Sequence, residues 1–147
     1  MDINACHLLE LLCLPACRLW GNNLGPDGAK ALAPALAANA SLADLNLSSN
    51  NLAGLTGYVK AAKVKGSSFN VGDKVMYEGR EMVVSKGKDS DGDIKMIDMS
   101  GVKPLAYSLV VNASLTKLNL RVNNLGDEVK DALQNAVNRR SGFKLEL

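Results

Sequence analysis

The feature that most constrains this chain is a recurring arrangement of leucines, L-x-x-L-x-L-x-x-N-x-L. It is complete over residues 42–52 and 115–125, and a third copy over residues 14–24 has Cys17 at one leucine position. Cysteine is a small and commonly buried side chain, so it is compatible with the same core position. A fourth copy begins at residues 142–147, where Gly142 holds the first position and Leu145 and Leu147 occupy the strand positions. Repeats of this kind predict units that bury their apolar faces against one another.

Within each copy, apolar and polar residues alternate as they do in a strand with one buried face. In the first unit, Gly28, Leu32 and Leu36 then recur at helical spacing. Each unit is therefore predicted to contain a strand, a turn and a helix. The pattern resembles the leucine-rich repeat family, and its helical half resembles the ribonuclease-inhibitor type. The resemblance implies an α/β solenoid, with parallel strands on one face and helices on the other, that binds proteins.

In the first three copies an asparagine stands at the end of the predicted strand, at Asn22, Asn50 and Asn123. Its amide both donates and accepts hydrogen bonds. Turns that pack between neighbouring units contain buried backbone groups, which need such partners. We therefore interpret these three asparagines as structural residues.

One unit is much longer than the others. Leu14 and Leu42 are 28 positions apart, whereas Leu42 and Leu115 are 73 positions apart. The pattern resumes where residues 100–115 match residues 27–42, so the extra segment is predicted to lie between a strand and its helix. The chain is thus divided into N-terminal repeats (1–52), an insertion (53–99) and further repeats (100–147).

The insertion contains three β-prone runs, at 74–77, 81–85 and 94–99, which are separated by turn-forming segments. This order predicts a small antiparallel β-meander. The stretch from Val71 to Ser85 resembles the opening of SH3-like barrels. That resemblance implies nucleic-acid binding as an alternative function.

Alternating carboxylates at Asp89, Asp91 and Asp93 are the kind of group that binds calcium. The EF-hand pattern, counted from Asp89, requires glycine at the sixth position and glutamate at the twelfth. The chain has Ile94 and Ser100 there. We therefore predict a hairpin turn at this segment rather than a metal site.

The sequence contains no recognisable catalytic constellation. His7 is the only histidine, and it and Cys6, Cys13 and Cys17 lack the paired cysteine spacing of zinc sites. Phosphate-binding loops and nucleophile elbows do not occur either. We predict a protein without enzymatic activity, metal or cofactor. The odd number of cysteines predicts reduced thiols and a cytoplasmic location, and no apolar run predicts a membrane span.

The residues between the buried leucines are predicted to face outward from the concave, strand-bearing surface. Trp20 is the sole tryptophan, and tryptophan and arginine are enriched among residues that dominate protein interfaces. Two interpretations of Trp20 remain open: an anchor for a partner, or a lid that packs on the leading segment. The predicted partner-binding residues are Arg18, Trp20, Asp44, Asn46, Ser48, Lys117, Asn119 and Arg121.

Two further functions remain open. The basic run Lys60, Lys63 and Lys65, with Tyr58 nearby, is compatible with nucleic-acid binding, although residues 53–98 carry eight basic side chains against seven acidic ones. The third hypothesis is a structural or regulatory fragment of a larger assembly. An end strand of the sheet would then pair with another chain, for example in a homodimer.

Overall fold

The computed structural model describes residues 15–147. This part of the chain forms two four-stranded sheets and three α-helices, with a short 3₁₀ turn at Ala61–Lys63. The elements are β1 (Ala16–Arg18), α1 (Gly25–Ala38), β2 (Asp44–Asn46), β3 (Val59–Lys60), β4 (Lys74–Tyr77), β5 (Arg80–Lys86), β6 (Asp93–Asp98), α2 (Val102–Val111), β7 (Lys117–Asn119), α3 (Asp127–Val137) and β8 (Lys144–Glu146).

The first sheet is parallel, with the strand order β1-β2-β7-β8. Its register aligns Cys17 with Leu45, Leu45 with Leu118, and Leu118 with Leu145. These are the central positions of the four sequence copies, so residues equivalent in sequence are neighbours in the sheet. Cys17, Leu45 and Leu118 are buried, and Leu145 is half-buried.

The helices cover the buried side of this sheet. Pro26 and Asp27 in the first turn of α1 favour a helix start, because proline needs no amide partner there and the carboxylate complements the helix dipole. The helix continues through Pro34, whose side chain is exposed. No helix among residues 15–147 has the length and apolar character needed to cross a bilayer. The helical residues in the core include Leu32, Leu36, Leu105, Leu109, Val129 and Leu133.

The second sheet is antiparallel and lies within the insertion, with the order β3-β6-β5-β4. Its last three strands occupy the three β-prone runs of the sequence. Beyond β3 the chain turns, and Lys65 pairs with Met76 in β4, so one stretch of chain contacts both edges of the sheet. The side chains enclosed in this way are Ala61, Val64, Val75, Met82, Val84, Ile94 and Met96.

The two ends of the insertion meet at its root. The backbone N–H of Asp98 donates to the carbonyl of Ala53 at 2.8 Å, and α2 begins a few residues later. Val83, Ile97 and Met99 pack into the core of the repeats instead of the insertion's own cluster. One face of the insertion's sheet therefore packs on the insertion's own core, and the other face packs on the repeats.

Candidate protein-interaction face

The candidate site is the outer surface of the parallel sheet. On β2 and β7 the central leucine is buried and both flanking residues are partly exposed. Flanking residues of successive strands are register partners, so the predicted site residues lie side by side. We define the strand face as three rows: Ala16, Asp44, Lys117 and Lys144; Arg18, Asn46, Asn119 and Glu146; and Trp20, Ser48 and Arg121.

Backbone bonds keep the third row aligned after the strands end. The N–H of Gly21 donates to the carbonyl of Ser48 at 3.0 Å. The N–H of Ser49 donates to the carbonyl of Arg121 at 2.9 Å. Trp20, Ser48 and Arg121 therefore follow one another across the units as the strand residues do.

Asn46 and Asn119 fix the turn that follows each strand. The side-chain oxygen of Asn46 accepts from the backbone N–H of Ser48 at 3.0 Å and from its hydroxyl at 2.8 Å. The oxygen of Asn119 accepts from the N–H of Arg121 at 3.0 Å. These bonds hold the third row in place, and the amide NH₂ groups are donors that a partner could use.

Charges on the strand face are mostly paired. The ammonium of Lys117 lies 3.2 Å from the Asp44 carboxylate, and Arg121 lies 3.9 Å from Glu146. Pairs this exposed contribute only about 0–1 kcal/mol to stability, because solvent screens them. Within residues 15–147, no carboxylate lies within ion-pair distance of Arg18. Among residues 15–147, the face thus presents both signs of charge and a guanidinium, that of Arg18, without an ion pair.

Trp20 is the largest apolar side chain on the strand face, and 64% of it is exposed. The side chain of Arg121 in the same row is also 64% exposed. Whether the leading segment covers Trp20, as in the lid interpretation, involves residues 1–14, which lie outside the described residues. Burying a large apolar side chain contributes about 2–3 kcal/mol, so this indole is a strong potential anchor.

Asn50 and Asn123 connect the units beneath this face. The oxygen of Asn123 accepts from the N–H of Asn50 at 2.9 Å and of Leu52 at 3.2 Å, while its NH₂ donates to the carbonyls of Leu47 and Leu120. The side chain of Asn50 forms the equivalent hydrogen bonds to backbone groups of the first unit. Asn22 is exposed, and within the described part of the chain its side-chain amide donates to the nearby carbonyls of Leu19 and Trp20.

A second set of polar side chains, which the sequence interpretation did not assign, bonds the carbonyls at and after the end of α1. Asn112 donates to the carbonyls of Leu36 and Asn39 at 2.7 and 2.8 Å, and Ser114 donates to that of Leu42 at 3.0 Å. The signal was present in the sequence, since the tetrapeptide NASL occurs at both 39–42 and 112–115.

An ion-pair cluster anchors the insertion to the repeats. Arg80 in β5 lies 2.8 Å from Asp98 at the insertion root and 3.2 Å from Asp27 in α1. Burial by itself would raise the pKa of Asp98, whose side chain is only 5% exposed. Hydrogen bonds from Ser100 and Arg80 outweigh burial and hold the pKa of Asp98 below its ordinary value.

Tyr58 and two lysines form a cluster on the surface of the insertion. Lys86 donates to the Tyr58 hydroxyl at 2.8 Å, and the ammonium of Lys95 lies 4.4 Å from the ring centroid. The hydrogen bond from Lys86, together with the charges of both lysines, lowers the pKa of Tyr58. The ring is 54% exposed.

The lysines that the sequence suggested beside Tyr58 are not those that contact its ring. Lys60 instead forms an ion pair with Asp93 at 3.1 Å, and Lys63 and Lys65 are exposed. Tyr58 is 28 and 37 positions from Lys86 and Lys95, so chain proximity does not indicate this cluster.

The Asp-rich segment before β6 forms a turn through its own carboxylate. The side-chain oxygen of Asp89 accepts from the N–H of Asp93 at 2.8 Å and of Asp91 at 3.1 Å. These bonds lower the pKa of Asp89. They agree with the predicted hairpin turn.

Of the cysteines and histidine considered for zinc, Cys6, His7 and Cys13 lie outside the described residues. Cys17 is buried at the centre of β1. Burial raises the pKa of its thiol, which favours the neutral form. This environment suits its role at a leucine position of the core.

Comparison with known sequences agrees with the repeat pattern. A search among curated proteins gave no match. A sequence model of the family described as Leucine Rich repeat matches residues 19–33 and 111–128. The first match begins directly after β1 and ends within α1, and the second begins at the end of α2, contains β7 and ends in the first turn of α3. The two matches show that these parts of the chain are similar to leucine-rich repeats.

Proposed function

We propose that this chain is a non-enzymatic protein-interaction module that binds a protein partner through the strand face. Leucine-rich repeats generally mediate protein–protein interaction and are typically without catalytic activity. The proposal includes a short solenoid of the ribonuclease-inhibitor-like kind, in which the strand face is concave and the insertion, which we propose to be SH3-like, forms a second wall.

The observation that carries the proposal is the exposure of Trp20 at the head of an aligned row. An indole, a serine hydroxyl and a guanidinium stand next to one another in Trp20, Ser48 and Arg121, and the first two rows add paired charges. Interface hot spots combine large aromatic side chains and arginine in this way. Flanking side chains with both signs of charge favour a protein partner over a uniformly charged polymer.

Affinity capture with three versions of the chain tests this proposal. Tyr107 on α2 is 70% exposed and gives a matched control for Trp20, because both are exposed aromatics on different layers of the fold. We expect Trp20→Ala to reduce the affinity for the captured partner at least tenfold, and Tyr107→Ala to leave it unchanged. Undiminished binding by Trp20→Ala, or equal loss in both variants, would contradict the proposal.

The cluster of Tyr58, Lys86 and Lys95 favours a second candidate, nucleic-acid binding through the insertion. An exposed aromatic ring beside two ammonium groups provides both stacking area and charge for a single strand. Against it, both lysines already contact the ring, and the turn carrying Asp89 lies close by.

A salt titration of labelled single-stranded RNA distinguishes this candidate. If it holds, affinity falls steeply between about 50 and 200 mM salt, because bound lysines release counterions from the phosphates. The double variant Lys86→Gln and Lys95→Gln then weakens binding, while Lys130→Gln on α3 does not. An absence of binding at the lowest salt concentration removes the candidate.

A further inference from the structure

Arg140 lies just after α3 and points its guanidinium at the ends of neighbouring elements. One of its terminal nitrogens donates to the carbonyl of Leu109 at 3.2 Å, and the other donates to the carbonyl of Leu115. Leu109 is near the end of α2, and Leu115 precedes β7. Arg140 therefore joins the end of one unit to the start of the next.

The preceding unit satisfies the equivalent carbonyls without a charge. The carbonyls of Leu36 and Leu42, each 73 positions earlier, accept from the amide of Asn112 and the hydroxyl of Ser114. A neutral amide and a hydroxyl thus suffice for this structural task. At the next unit, Arg140 replaces both groups and adds a positive charge that the task does not require.

No acidic side chain within residues 15–147 lies within ion-pair distance of Arg140. Its side chain is half-buried, and burial lowers the pKa of the guanidinium, since no neighbouring carboxylate compensates the charge. The ring of Phe143 lies 4.6 Å away and is its only aromatic contact in this part of the chain. A guanidinium has five N–H donors, of which the two carbonyls take two.

A cavity of about 460 Å³ opens beside this guanidinium. Its walls combine the apolar residues Val110, Val111, Leu115 and Phe143 with the polar residues Asn112, Thr116 and Ser141. Val110 is 61% exposed and Val111 is 49% exposed, so aliphatic surface continues from the cavity to its rim. A guanidinium without an acidic partner among residues 15–147, beside a cavity with apolar as well as polar walls, favours a ligand that carries both a negative charge and apolar groups.

We propose that this cavity, called here the Arg140 pocket (Val110, Val111, Leu115, Arg140 and Phe143), binds an acidic side chain flanked by aliphatic residues of a protein partner. A carboxylate matches the planar fork of arginine, and the valines and Phe143 accommodate the aliphatic neighbours. The inference rests on the proposed function as a protein-binding module, but it adds a second contact surface at the helix ends.

Two blocked pentapeptides, Gly-Leu-Glu-Leu-Gly and Gly-Leu-Gln-Leu-Gly, test the charge requirement. In an NMR titration of the intact chain, we expect the Glu peptide to shift the signals of Val110, Val111 and Phe143. The Gln peptide has almost the same shape and should bind at least tenfold more weakly. Equal binding of the two peptides, or no shift at peptide concentrations of about 10 mM, would overturn the inference.

Variants of two neighbouring arginines test which charge is responsible for the preference for the Glu peptide. Arg140→Gln should abolish the preference for the Glu peptide, whereas the exposed neighbour Arg139 gives a matched control, and Arg139→Gln should retain the preference. If Arg140→Gln does not fold, Arg140→Lys retains the charge, and weaker binding with a preserved preference is expected. Equal loss in the Arg139 and Arg140 variants would exclude the pocket. If the peptides shifted only NMR signals of the strand face, the pocket would also be excluded, but the proposed function would not be contradicted.

Discussion

A buried asparagine joins two units because its amide satisfies donors and acceptors at the same time. Asn123 is 2% exposed, and its side chain bonds backbone groups of Asn50, Leu52 and Leu47 in the preceding unit. Without this amide, the N–H groups of Asn50 and Leu52 would lose the partner that the structure gives them. The neighbouring turns consequently depend on each other.

We predict that Asn123→Ala lowers the free energy of unfolding by about 3 kcal/mol, since several buried backbone groups lose their partners. Asn22→Ala is the control, because the side chain of Asn22 is exposed and, among residues 15–147, its amide donates to carbonyls of its own turn. Its effect should remain below about 1 kcal/mol. Urea unfolding at neutral pH measures both values, and similar losses in the two variants would contradict the linking role of Asn123.

We predict that Asp98 makes stability depend on pH in the acidic range. Its pKa in the folded chain lies below its value in the unfolded chain, so its contribution is present above about pH 4 and is lost as the pH falls through the folded pKa. Asp98→Asn should therefore be less stable than the intact chain at pH 7, and this difference should shrink towards pH 3.

Urea unfolding between pH 3 and pH 7 checks this expectation. Asp131→Asn, at an exposed position of α3, is a control for the loss of one negative charge. A stability difference for Asp98→Asn that is the same at both ends of the range would contradict the ionic role of Asp98.

At the scale of elements, the N-terminal ends of α1 and α2 approach each other closely at Gly101. A Cβ atom placed on Gly101 would lie 2.2 Å from the carbonyl oxygen of Pro26 and 2.7 Å from its Cα. The obstacle is backbone, which cannot move aside as a flexible side chain can. Gly101 therefore permits the close contact between the first helix and the point where the repeats resume.

We predict that Gly101→Ala destabilises the chain by about 2 kcal/mol or more through overpacking at this contact. Gly57→Ala is the matched control, since an added Cβ there meets no atom within 4 Å. It should change stability by less than about 0.5 kcal/mol. Chemical unfolding of both variants makes the comparison, and a harmless Gly101→Ala would show that the helices can separate at little cost.

At the scale of the whole molecule, the insertion and the repeats share apolar contacts. Successive residues of β5 face opposite ways: Val83 packs into the core of the repeats, and Val84 packs into the core of the insertion. Ile97 in β6 joins Val83. The ion pairs of Arg80 with Asp27 and Asp98 span the same boundary.

We predict that the chain unfolds as one cooperative unit. Amide hydrogen exchange should give the buried strand residues Val84 and Met96 nearly the same opening free energy as Leu118. Trp20 lies in the repeats, so urea unfolding followed by its fluorescence should have the same midpoint as the unfolding of the insertion. Earlier exchange throughout the insertion would instead show that it opens independently.

The sequence by itself determined the periodic features. Leucine spacing predicts the neighbours Leu45 and Leu118, and alternation with turn residues predicts the strands of the insertion. Such patterns are local, because a strand or helix period shows which residues share a buried face. The positions of the strand-face residues follow from the same register, although their role in binding remains a proposal.

Only the tertiary structure decided what each face packs against. The division of Val83 and Val84 between two cores, and the meeting of Tyr58 with Lys86, depend on segments distant in sequence. The same holds for the uncompensated charge of Arg140 beside its cavity. Periodicity specifies that a side chain is buried or exposed, but its partner depends on how whole elements pack.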